Sequence, residues 1–453
     1  MRLRIAATLL VVACGSPSLD DAGTFDGGNG VDSGPGPSDS GVPDAGQDVD
    51  AGPPDAGRSR PQWLLPPAGL TASQLGVVVN TSDPLSVAVA ERYMQARGIP
   101  AEHRIDVSFP VTGVMTVDNF TAAKAIVDAR LDGGIQALAL TWTNPYRVTC
   151  MSVTAAFAMG FDAGHCSTQG APCAPTALVP TFDARSHRLW DDYRILPTMM
   201  LAAADAGDAF ALISRGVASD GTNPGGEGWF VRTNDAARSV RWPDFVTTVN
   251  QLNDGGSVSA RYVDDAGSIT GQSDVLFYLT GLASVPGIAT NTYRPGAVCD
   301  HLTSFGGQVP SSGQMSALRW LEAGCTASFG TVVEPCNFTS KFPQASVLLR
   351  HYFRGEPIVE AYWKSVYMPG EGLFIGEPLA RPFDADVTGW DEATETLTLT
   401  TNRLEAARTY AVEGAFDAGG PWMPVATGVR ISTHRRVVIT VQPAEHAVYR
   451  LVP

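Results

Sequence analysis

The sequence lacks three features that would point to well-known functions. After the apolar run Ile5–Ala13, which is too short to span a bilayer, no stretch reaches the length of a membrane-spanning helix. No cysteine pair has the Cys-x-x-Cys spacing of a zinc site, and we expect neither a metal nor a cofactor. Positive charge is scarce: 31 Lys and Arg against 46 Asp and Glu give a net charge of −15, which argues against nucleic acid as a partner.

The amino end carries the pattern of an exported, lipid-anchored protein. Two arginines precede the apolar run Ile5–Ala13, as in a secretory signal peptide. Val11-Val12-Ala13-Cys14 resembles a lipoprotein cleavage box, which implies a signal peptide over residues 1–13 and a lipid on the Cys14 thiol that binds the membrane. Gly15 follows, and by analogy this permits sorting to the outer membrane, on its periplasmic or cell-surface side. The alternative is an ordinary cleaved signal peptide with an incidental cysteine.

Residues 14–60 form an acidic linker rich in Gly, Pro, Ser and Asp. The segment holds nine aspartates and two arginines, and the triplet Asp-Ala-Gly recurs in it. Such a composition cannot bury enough apolar surface to offset the loss of chain entropy, so we expect disorder, and the like charges favour an extended chain. We interpret the linker as a tether. A calcium-binding repeat is the alternative, but the aspartates lack the regular spacing of a calcium loop.

The rest of the chain is predicted to form two folded units. Leu75–Asn80 is an almost wholly apolar strand, and Asp83 has the position of a helix cap. Strand and helix signals then alternate, which predicts an α/β domain over residues 61–380, with a mostly parallel sheet covered by helices on both faces. Residues 145–197 are predicted to be a long loop insertion with one short helix. Residues 381–453 alternate polar and apolar side chains and predict a small β-sandwich.

Six cysteines remain once Cys14 is assigned to the lipid. An even number in an oxidising compartment predicts disulfides, and six cysteines allow fifteen pairings, among which the sequence does not choose. Cys166 and Cys173 lie in one loop and are the pair that we expect to bridge.

Six runs across the body carry a family resemblance: Val77–Ser86, Leu140–Arg147, Pro295–Ser304, Trp320–Pro335, Glu360–Ser365 and Gly372–Pro378. They resemble an uncharacterised family of exported bacterial proteins found mostly in genomes that carry exosortase-type sorting systems. The resemblance covers most of residues 70–382. It implies a fold and an envelope context and assigns no activity.

More distantly, the layout resembles the caspase and gingipain class of cysteine peptidases. In that class one strand ends in a Gly-His-Gly stretch and the next ends at the nucleophilic cysteine; the runs that look like these strands are Asp274–Ser284 and Gly296–Gly307. Leu282 stands where the histidine would be. The cysteine position falls near Leu302 or Thr303, and Cys299 lies upstream of it. The resemblance therefore implies the fold without the catalytic dyad, because a leucine cannot accept a proton.

Polar residues that follow predicted strands are candidates for a functional site. Asp300, His301, Thr303 and Ser304 cluster after one strand, and a histidine beside an acid and hydroxyls could perform acid–base catalysis. The alternative for this cluster is hydrogen bonding within a turn. We assign the catalytic role in this interpretation to Asp300, His301 and Ser304.

Six further residues are candidates for binding: Asp83, Trp142, Asn144, Arg147, Glu334 and Lys341. For Asp83 the alternative is a helix cap. The loop around Trp142 could hold a sugar or a peptide, or could simply pack against the body. Glu334 and Lys341 could form a buried ion pair instead of a site.

Two functions follow from these observations. The first is a lipid-anchored envelope protein without catalytic activity, which binds another envelope protein or a glycan; the tether, the appended sandwich and the missing dyad favour it. The second is a peptidase-like hydrolase that uses the cluster at Asp300–Ser304. A disulfide at Cys299 would exclude that residue as a nucleophile.

Overall fold

The computed structural model describes residues 11–13, 60–131, 134–167, 173–256, 258–264 and 267–453. Most of the predicted signal peptide, the lipidation site Cys14 and the linker up to residue 59 lie outside this part of the chain. In the part that is described, no helix has both the length and the apolar character needed to cross a bilayer.

Strands and helices alternate through the first three quarters of the chain, and strands alone follow. The strands are β1 Val11–Ala13, β2 Gln62–Trp63, β3 Leu75–Asn80, β4 Arg104–Val107, β5 Val114–Met115, β6 Ala137–Leu140, β7 Arg147–Val148, β8 Met151–Ser152, β9 Thr198–Met200, β10 Glu227–Val231, β11 Ser259–Val263, β12 Val275–Gly281, β13 Tyr293–Leu302, β14 Ala327–Thr331, β15 Gly372–Gly376, β16 Val387–Asp391, β17 Thr396–Thr401, β18 Tyr410–Ala415, β19 Met423–Val429, β20 Val437–Val441 and β21 Val448–Val452. The helices are α1 Pro84–Arg97, α2 Val117–Arg130, α3 Val153–Met159, α4 Leu189–Tyr193, α5 Ala206–Ser219, α6 Trp242–Gly255, α7 Leu318–Ala323, α8 Ala345–Phe353 and α9 Ile358–Trp363.

A ten-stranded sheet forms the centre of the molecule. Its order is β11-β10-β12-β13-β14-β15-β9-β6-β3-β4, and every neighbouring pair is parallel except β14 and β15. The strands β3, β6, β12 and β15 are buried along their whole length, as expected for strands of a mostly parallel sheet in an α/β protein. The mixed α/β class predicted from the sequence is confirmed.

The first helix shows how local sequence positions the elements beside this sheet. Asp83 caps α1, Pro84 occupies its first turn, and Gly98 ends it with φ 61°, a left-handed conformation that glycine adopts easily. Val89 and Tyr93 are buried in the same core cluster as the strands. Helix α1 packs against β3 and α5.

The C-terminal strands form two four-stranded sheets, β1-β20-β17-β16 and β19-β18-β21-β2, each completed by one strand from the amino-terminal part of the chain. Strand β1 is the last part of the predicted signal peptide, so a mature protein that begins at Cys14 would lack it, and β20 would then be an edge strand. Leu399 and Ile439 of one sheet and Val412 and Tyr449 of the other share one apolar core, so the two sheets pack face to face. Strand β2 lies next to the predicted boundary at residue 61. Gln62 and Trp63 pair with β21, and Trp63 packs into the core of the two C-terminal sheets.

Three disulfides join the six cysteines of the body, and they correct the pairing expected from the sequence. Cys166 bonds to Cys150 and Cys173 bonds to Cys336, so Cys166 and Cys173 do not bond to each other; the third bond joins Cys299 and Cys325. Closeness in sequence misleads here because the fold brings Cys173 beside a residue 163 positions away, at a Cα–Cα distance of 5.1 Å.

Candidate functional site

Asp83 acts as a helix cap in the structure. Its Oδ1 accepts a hydrogen bond from the backbone N–H of Leu85 at 3.0 Å, and the residue is half-buried at the start of α1. Within the described ranges, no hydrogen bond or ion pair links Asp83 to His301 or to Glu334. These candidates from three strand ends are therefore not members of one hydrogen-bonded network.

His301 lies in the core, and only 1 % of it is exposed. Trp320 Nε1–H donates to its Nδ1 at 2.9 Å, so its Nε2 carries the proton and donates to the carbonyl oxygen of Met315 at 3.1 Å. Burial lowers the pKa of His301 to about 4, since the charged form would lose its hydration. Both ring nitrogens are occupied, so the geometry supports a structural role.

Asp300 is also buried, and it forms an ion pair. Its Oδ1 accepts a hydrogen bond from Arg241 Nη2 at 2.5 Å, and both side chains are at most 3 % exposed. The same Arg241 nitrogen donates to the carbonyl oxygen of Thr280 at 2.8 Å. The pair joins α6 to the centre of the sheet.

The remaining members of this cluster also take part in packing. Thr303 donates to Gln314 Oε1 at 2.5 Å and accepts from Arg238 Nε at 3.2 Å. Ser304 is half-buried, and its carbonyl oxygen accepts from the Thr331 hydroxyl at 3.0 Å. Cys299 is in the disulfide with Cys325, which excludes it as a nucleophile.

Glu334 and Lys341 do not form the ion pair that the sequence suggested. Glu334 Oε1 accepts from the backbone N–H of Cys336 at 2.8 Å. Lys341 is fully buried and pairs instead with Glu371 at 2.9 Å, while it also donates to Ser167 Oγ at 3.1 Å. The reason is tertiary: Glu371 approaches Lys341 from the segment before β15, a contact that no local spacing predicts.

The loop around Trp142 packs against the body. Trp142 is fully buried, lies edge-on to Phe109 and Phe157, and donates from Nε1 to the carbonyl oxygen of Pro145 at 3.1 Å. A buried ring cannot stack on a sugar. Asn144 and Arg147 are half-buried beside it, and the Arg147 guanidinium lies 5.9 Å from the centre of the Tyr146 ring.

A cleft of about 290 Å³ lies between the loop that joins α8 to α9 and the C-terminal sheets, and we call it the arginine cleft. Four arginines and one histidine line it: Arg185, Arg354, Arg403, Arg408 and His187. Among the described residues, the acidic side chains that line the same cleft are Glu356 and Glu405. Arg403 is already paired with Asp384 at 3.2 Å and with Asp386 at 2.5 Å, so Arg185, Arg354 and Arg408 are the arginines of the lining without an aspartate partner.

Glu405 holds three of these arginines. Arg354 Nη1 lies 3.2 Å from its carboxylate, and Arg185 Nε and Arg408 Nη1 each lie 3.3 Å from it. Arg354 also pairs with Glu356 at 2.8 Å. A guanidinium has five N–H donors in a fixed fork, so Arg185 and Arg408, which share the one carboxylate of Glu405, keep donors for another anion. Burial acts to raise the pKa of Glu405, but the arginines outweigh it and hold that pKa below its ordinary value.

A buried charge network lies behind the cleft and reaches it at Glu356 and His187. Lys364 Nζ donates to Glu356 Oε2 at 2.8 Å and to Glu360 Oε1 at 2.6 Å, and all three side chains are at most 1 % exposed. His187 Nδ1 lies 2.5 Å from Glu360 Oε1, and the His187 side chain is 40 % exposed toward the cleft. The network therefore connects the interior with the cleft through one histidine.

The same residues could be considered for a metal ion. Ligand atoms of His187, Glu356 and Glu360 lie within 4.8 Å of one another. Lys364, however, is bonded to both carboxylates and supplies the positive charge that they need. A metal ion would have to displace a buried ammonium group, so these residues do not fit a metal site.

The chain segment before β3 closes one side of the cleft. Leu70 donates its backbone N–H to Glu360 Oε2 at 3.0 Å, and Arg403 donates to the carbonyl oxygen of Pro66. Gly69 allows this close approach, because a Cβ there would lie 2.7 Å from the same Glu360 oxygen. The segment thereby fixes the position of Glu360 against the cleft.

The arginine cleft has no place among the candidates chosen from the sequence. One signal does point to it: Glu360 and Lys364 are four residues apart on α9, an order that favours ion pairing on a helix, and they lie in one of the runs that carry the family resemblance. Arg185 and His187 come from a loop with no such pattern. Glu405 and Arg408 come from the C-terminal unit.

Comparisons with known proteins add little to this geometry. No family model and no curated protein sequence match the chain. A solved structure described as "Structure of Protease" aligns over 85% of this chain and 93% of that chain, with 10% sequence identity and a TM-score of 0.37. A similarity this weak carries no argument about fold or function.

Proposed function

We propose that this protein is a lipid-anchored cell-envelope protein that binds an anionic ligand in the arginine cleft and has no catalytic role at Asp300, His301 or Ser304. The observation that carries anion binding is the arrangement of Arg185 and Arg408 in the cleft, where both guanidinium groups share the single carboxylate of Glu405. Guanidinium groups match carboxylate, phosphate and sulfate groups through paired hydrogen bonds. An acidic group on an envelope protein or on a glycan is the partner that this chemistry fits.

The envelope location rests on separate observations. The sequence around Cys14 resembles a lipoprotein cleavage box, and an acidic linker follows it. The body has three disulfides, which are typical of oxidising compartments. The resemblance to exported bacterial proteins agrees with this location. The proposal places the protein at the outer membrane, on its periplasmic or cell-surface side, with no nucleic-acid partner.

We also propose that the α/β body has the caspase and gingipain layout without its chemistry. Strands β12 and β13 are adjacent and parallel, as that layout requires. Leu282 follows β12 where a histidine would be needed, and Cys299 is held in a disulfide. These two observations support binding over peptide hydrolysis.

Sulfate binding tests the anion site. Titration of the full chain with sodium sulfate at low ionic strength, followed by calorimetry, should show saturable binding, since salt screens exposed charges. The double variant Arg185→Gln/Arg408→Gln should bind about tenfold more weakly, because charge-assisted hydrogen bonds are lost. Both arginines are partly exposed and outside the core, so the fold should remain intact.

Arg261→Gln is the matched control for this measurement. Arg261 is 57% exposed and pairs with Glu227 at 3.1 Å, away from the cleft, so its replacement should leave sulfate binding unchanged. Titration with phosphate and with acetate then separates a phosphate-like ligand from a carboxylate. A wild-type chain that binds none of these anions, or a double variant that binds them as tightly, would refute the proposal.

The anchor has a direct test of its own. Mature protein purified from the membranes of the producing cell should begin at Cys14 and carry a diacylglycerol on the thiol, measured by mass spectrometry of the amino-terminal peptide. Cys14→Ser should abolish the modification and release the protein from the membrane fraction, because the acyl chains supply the membrane affinity. An unacylated mature terminus in the wild type would contradict the proposed lipid anchor. It would not bear on the proposed anion binding in the arginine cleft.

A further inference from the structure

We infer that the mature protein forms a twofold dimer in which strand β20 pairs with β20 of a second copy. The inference rests on the proposed cleavage before Cys14, because cleavage removes the strand that pairs with this side of β20 in the full chain. Strand β1 runs antiparallel to β20, with Val11 opposite Ile439 and Ala13 opposite Val437. On its other side β20 pairs with β17. Among the strands that the structure describes, β17 is the one neighbour that β20 would keep.

A strand at the edge of a sheet presents backbone N–H and C=O groups that pair readily with another extended chain. Proteins protect such edges with charged side chains, with proline or with very short strands. The other edges of the three larger sheets have these features. Strand β4 contains Arg104 and Asp106, and β11 contains Arg261. Strand β19 contains Pro424, β16 ends in Asp391, and β2 has only two residues.

Strand β20 lacks these protective features. Its sequence is Val-Val-Ile-Thr-Val, without a charged residue or a proline, and β-branched residues of this kind favour pairing with another strand. Val437, Ile439 and Val441 are buried in the core between the two C-terminal sheets, and Val438 and Thr440 are half-buried on the outer face. The pairing with β1 shows that this edge accepts an extended, uncharged segment in the antiparallel direction.

A second copy fits this edge because the strand is self-complementary. In an antiparallel pair centred on Ile439, Val437 lies opposite Val441 of the second copy, and Val438 lies opposite its Thr440. Every pair then joins β-branched side chains, which stabilise neighbouring strands. Buried positions meet buried positions, so the two sheets continue as one sheet with the same faces. A contact that uses the same surface on both copies closes as a dimer.

The residues that flank β20 also suit this register. Arg436 would lie opposite Gln442 of the second copy, and Arg435 opposite its Pro443, so no like charges are brought together. A parallel pair would instead place each arginine opposite its own counterpart. In the proposed function both copies are anchored to one membrane, which raises their effective concentration, so that a contact of five residues a side can hold them together.

Sedimentation equilibrium of the mature chain tests the inference. The chain comprises residues 14–453 with the substitution Cys14→Ser, so it lacks β1 and carries no lipid. Over a concentration series in the micromolar range, it should show a reversible equilibrium between a monomer and a dimer of twice the mass. Because this chain is produced without residues 1–13, the result does not depend on whether the cell removes them.

Two charge variants of the mature chain test the register. In Val438→Lys/Thr440→Lys the introduced ammonium groups of the two copies would face each other, and in Val438→Glu/Thr440→Glu the introduced carboxylates would do the same. Each variant alone should dimerise about tenfold more weakly, because like charges directly opposite destabilise a strand pair. An equimolar mixture should form the mixed dimer, in which opposite charges meet. Circular dichroism should confirm that both variants fold, since the two positions lie outside the core.

Val387→Lys is the matched control. Val387 is 57 % exposed on β16, at the opposite edge of the same sheet, so its replacement should leave the dimer unchanged. A mature chain that stays monomeric, charge variants that dimerise as tightly as the parent chain, or a mixture that fails to associate would overturn the inference. So would loss of the dimer in Val387→Lys. None of these outcomes would bear on the anion site or the lipid anchor, which sulfate titration and mass spectrometry test separately.

Discussion

Lys364→Met is expected to lower the free energy of unfolding by about 3–5 kcal/mol, the cost of removing one partner from a buried ion pair. Lys364 is the ammonium group between Glu356 and Glu360, and none of the three side chains is more than 1 % exposed. Methionine fills similar space but offers no donor, so two carboxylates would lose their shared buried cation. Urea denaturation followed by circular dichroism measures the change.

Two comparisons show whether charge is the cause. In the triple variant Lys364→Met/Glu356→Gln/Glu360→Gln no buried carboxylate remains unpaired, so part of the lost stability should return. Lys124→Met is the matched surface control, because Lys124 pairs with the exposed Asp128 on α2, and pairs of this kind contribute at most about 1 kcal/mol. A Lys364→Met chain as stable as Lys124→Met would show that the network does not support the fold.

The parts of the fold that depend on short stretches can be predicted from the sequence. Strand β3 has the predicted bounds Leu75–Asn80, and α1 begins directly after its cap at Asp83. In both cases the signals lie next to each other in the chain: an apolar run, a capping side chain and a terminating glycine. The alternation of such signals also predicts the α/β class, which the ten-stranded sheet confirms.

Short strands at the middle of the sheet have no such signal. Strand β9 has three residues, Thr198–Met200, and β15 begins and ends with glycine, a residue depleted in strands. Their strand conformation depends on pairing: β15 lies between β14 and β9, and β9 also pairs with β6. Because pairing with strands distant in sequence determines the conformation of β9 and β15, the local sequence does not predict these two strands.

The functional interpretation from sequence is limited for the same reason. Asp300 and His301 have the composition of a catalytic cluster, but their polar atoms are used in the core by Arg241, which directly precedes α6, and by Trp320 of α7. The residues of the arginine cleft are the reverse case: they are far apart in the sequence and close together in the fold. Positions near 185, 356 and 405 lie in three distant segments, and they meet where the C-terminal unit packs against the loop between α8 and α9.

Asp300→Leu is the second substitution with a large expected effect, again a loss of about 3–5 kcal/mol in the free energy of unfolding. Arg241 is at most 3 % exposed and has its carboxylate partner 2.5 Å away in Asp300. Leucine would leave the guanidinium buried with the single carbonyl oxygen of Thr280 as acceptor. Urea denaturation should show the loss, and any accompanying loss of function should follow the fraction of unfolded protein.

The double variant Asp300→Leu/Arg241→Met separates a structural pair from a catalytic acid. Removal of both charges leaves no buried ion without its partner, so the double variant should be more stable than Asp300→Leu alone. Ser304→Ala, at the half-buried end of the same cluster, should change stability by no more than about 0.5 kcal/mol. If Asp300→Leu instead kept wild-type stability and abolished a hydrolytic activity that the double variant did not recover, the acid would be catalytic. The carboxyl end of β13, with Asp300, His301 and Ser304, would then be the active site, in place of the binding function that the arginine cleft supports.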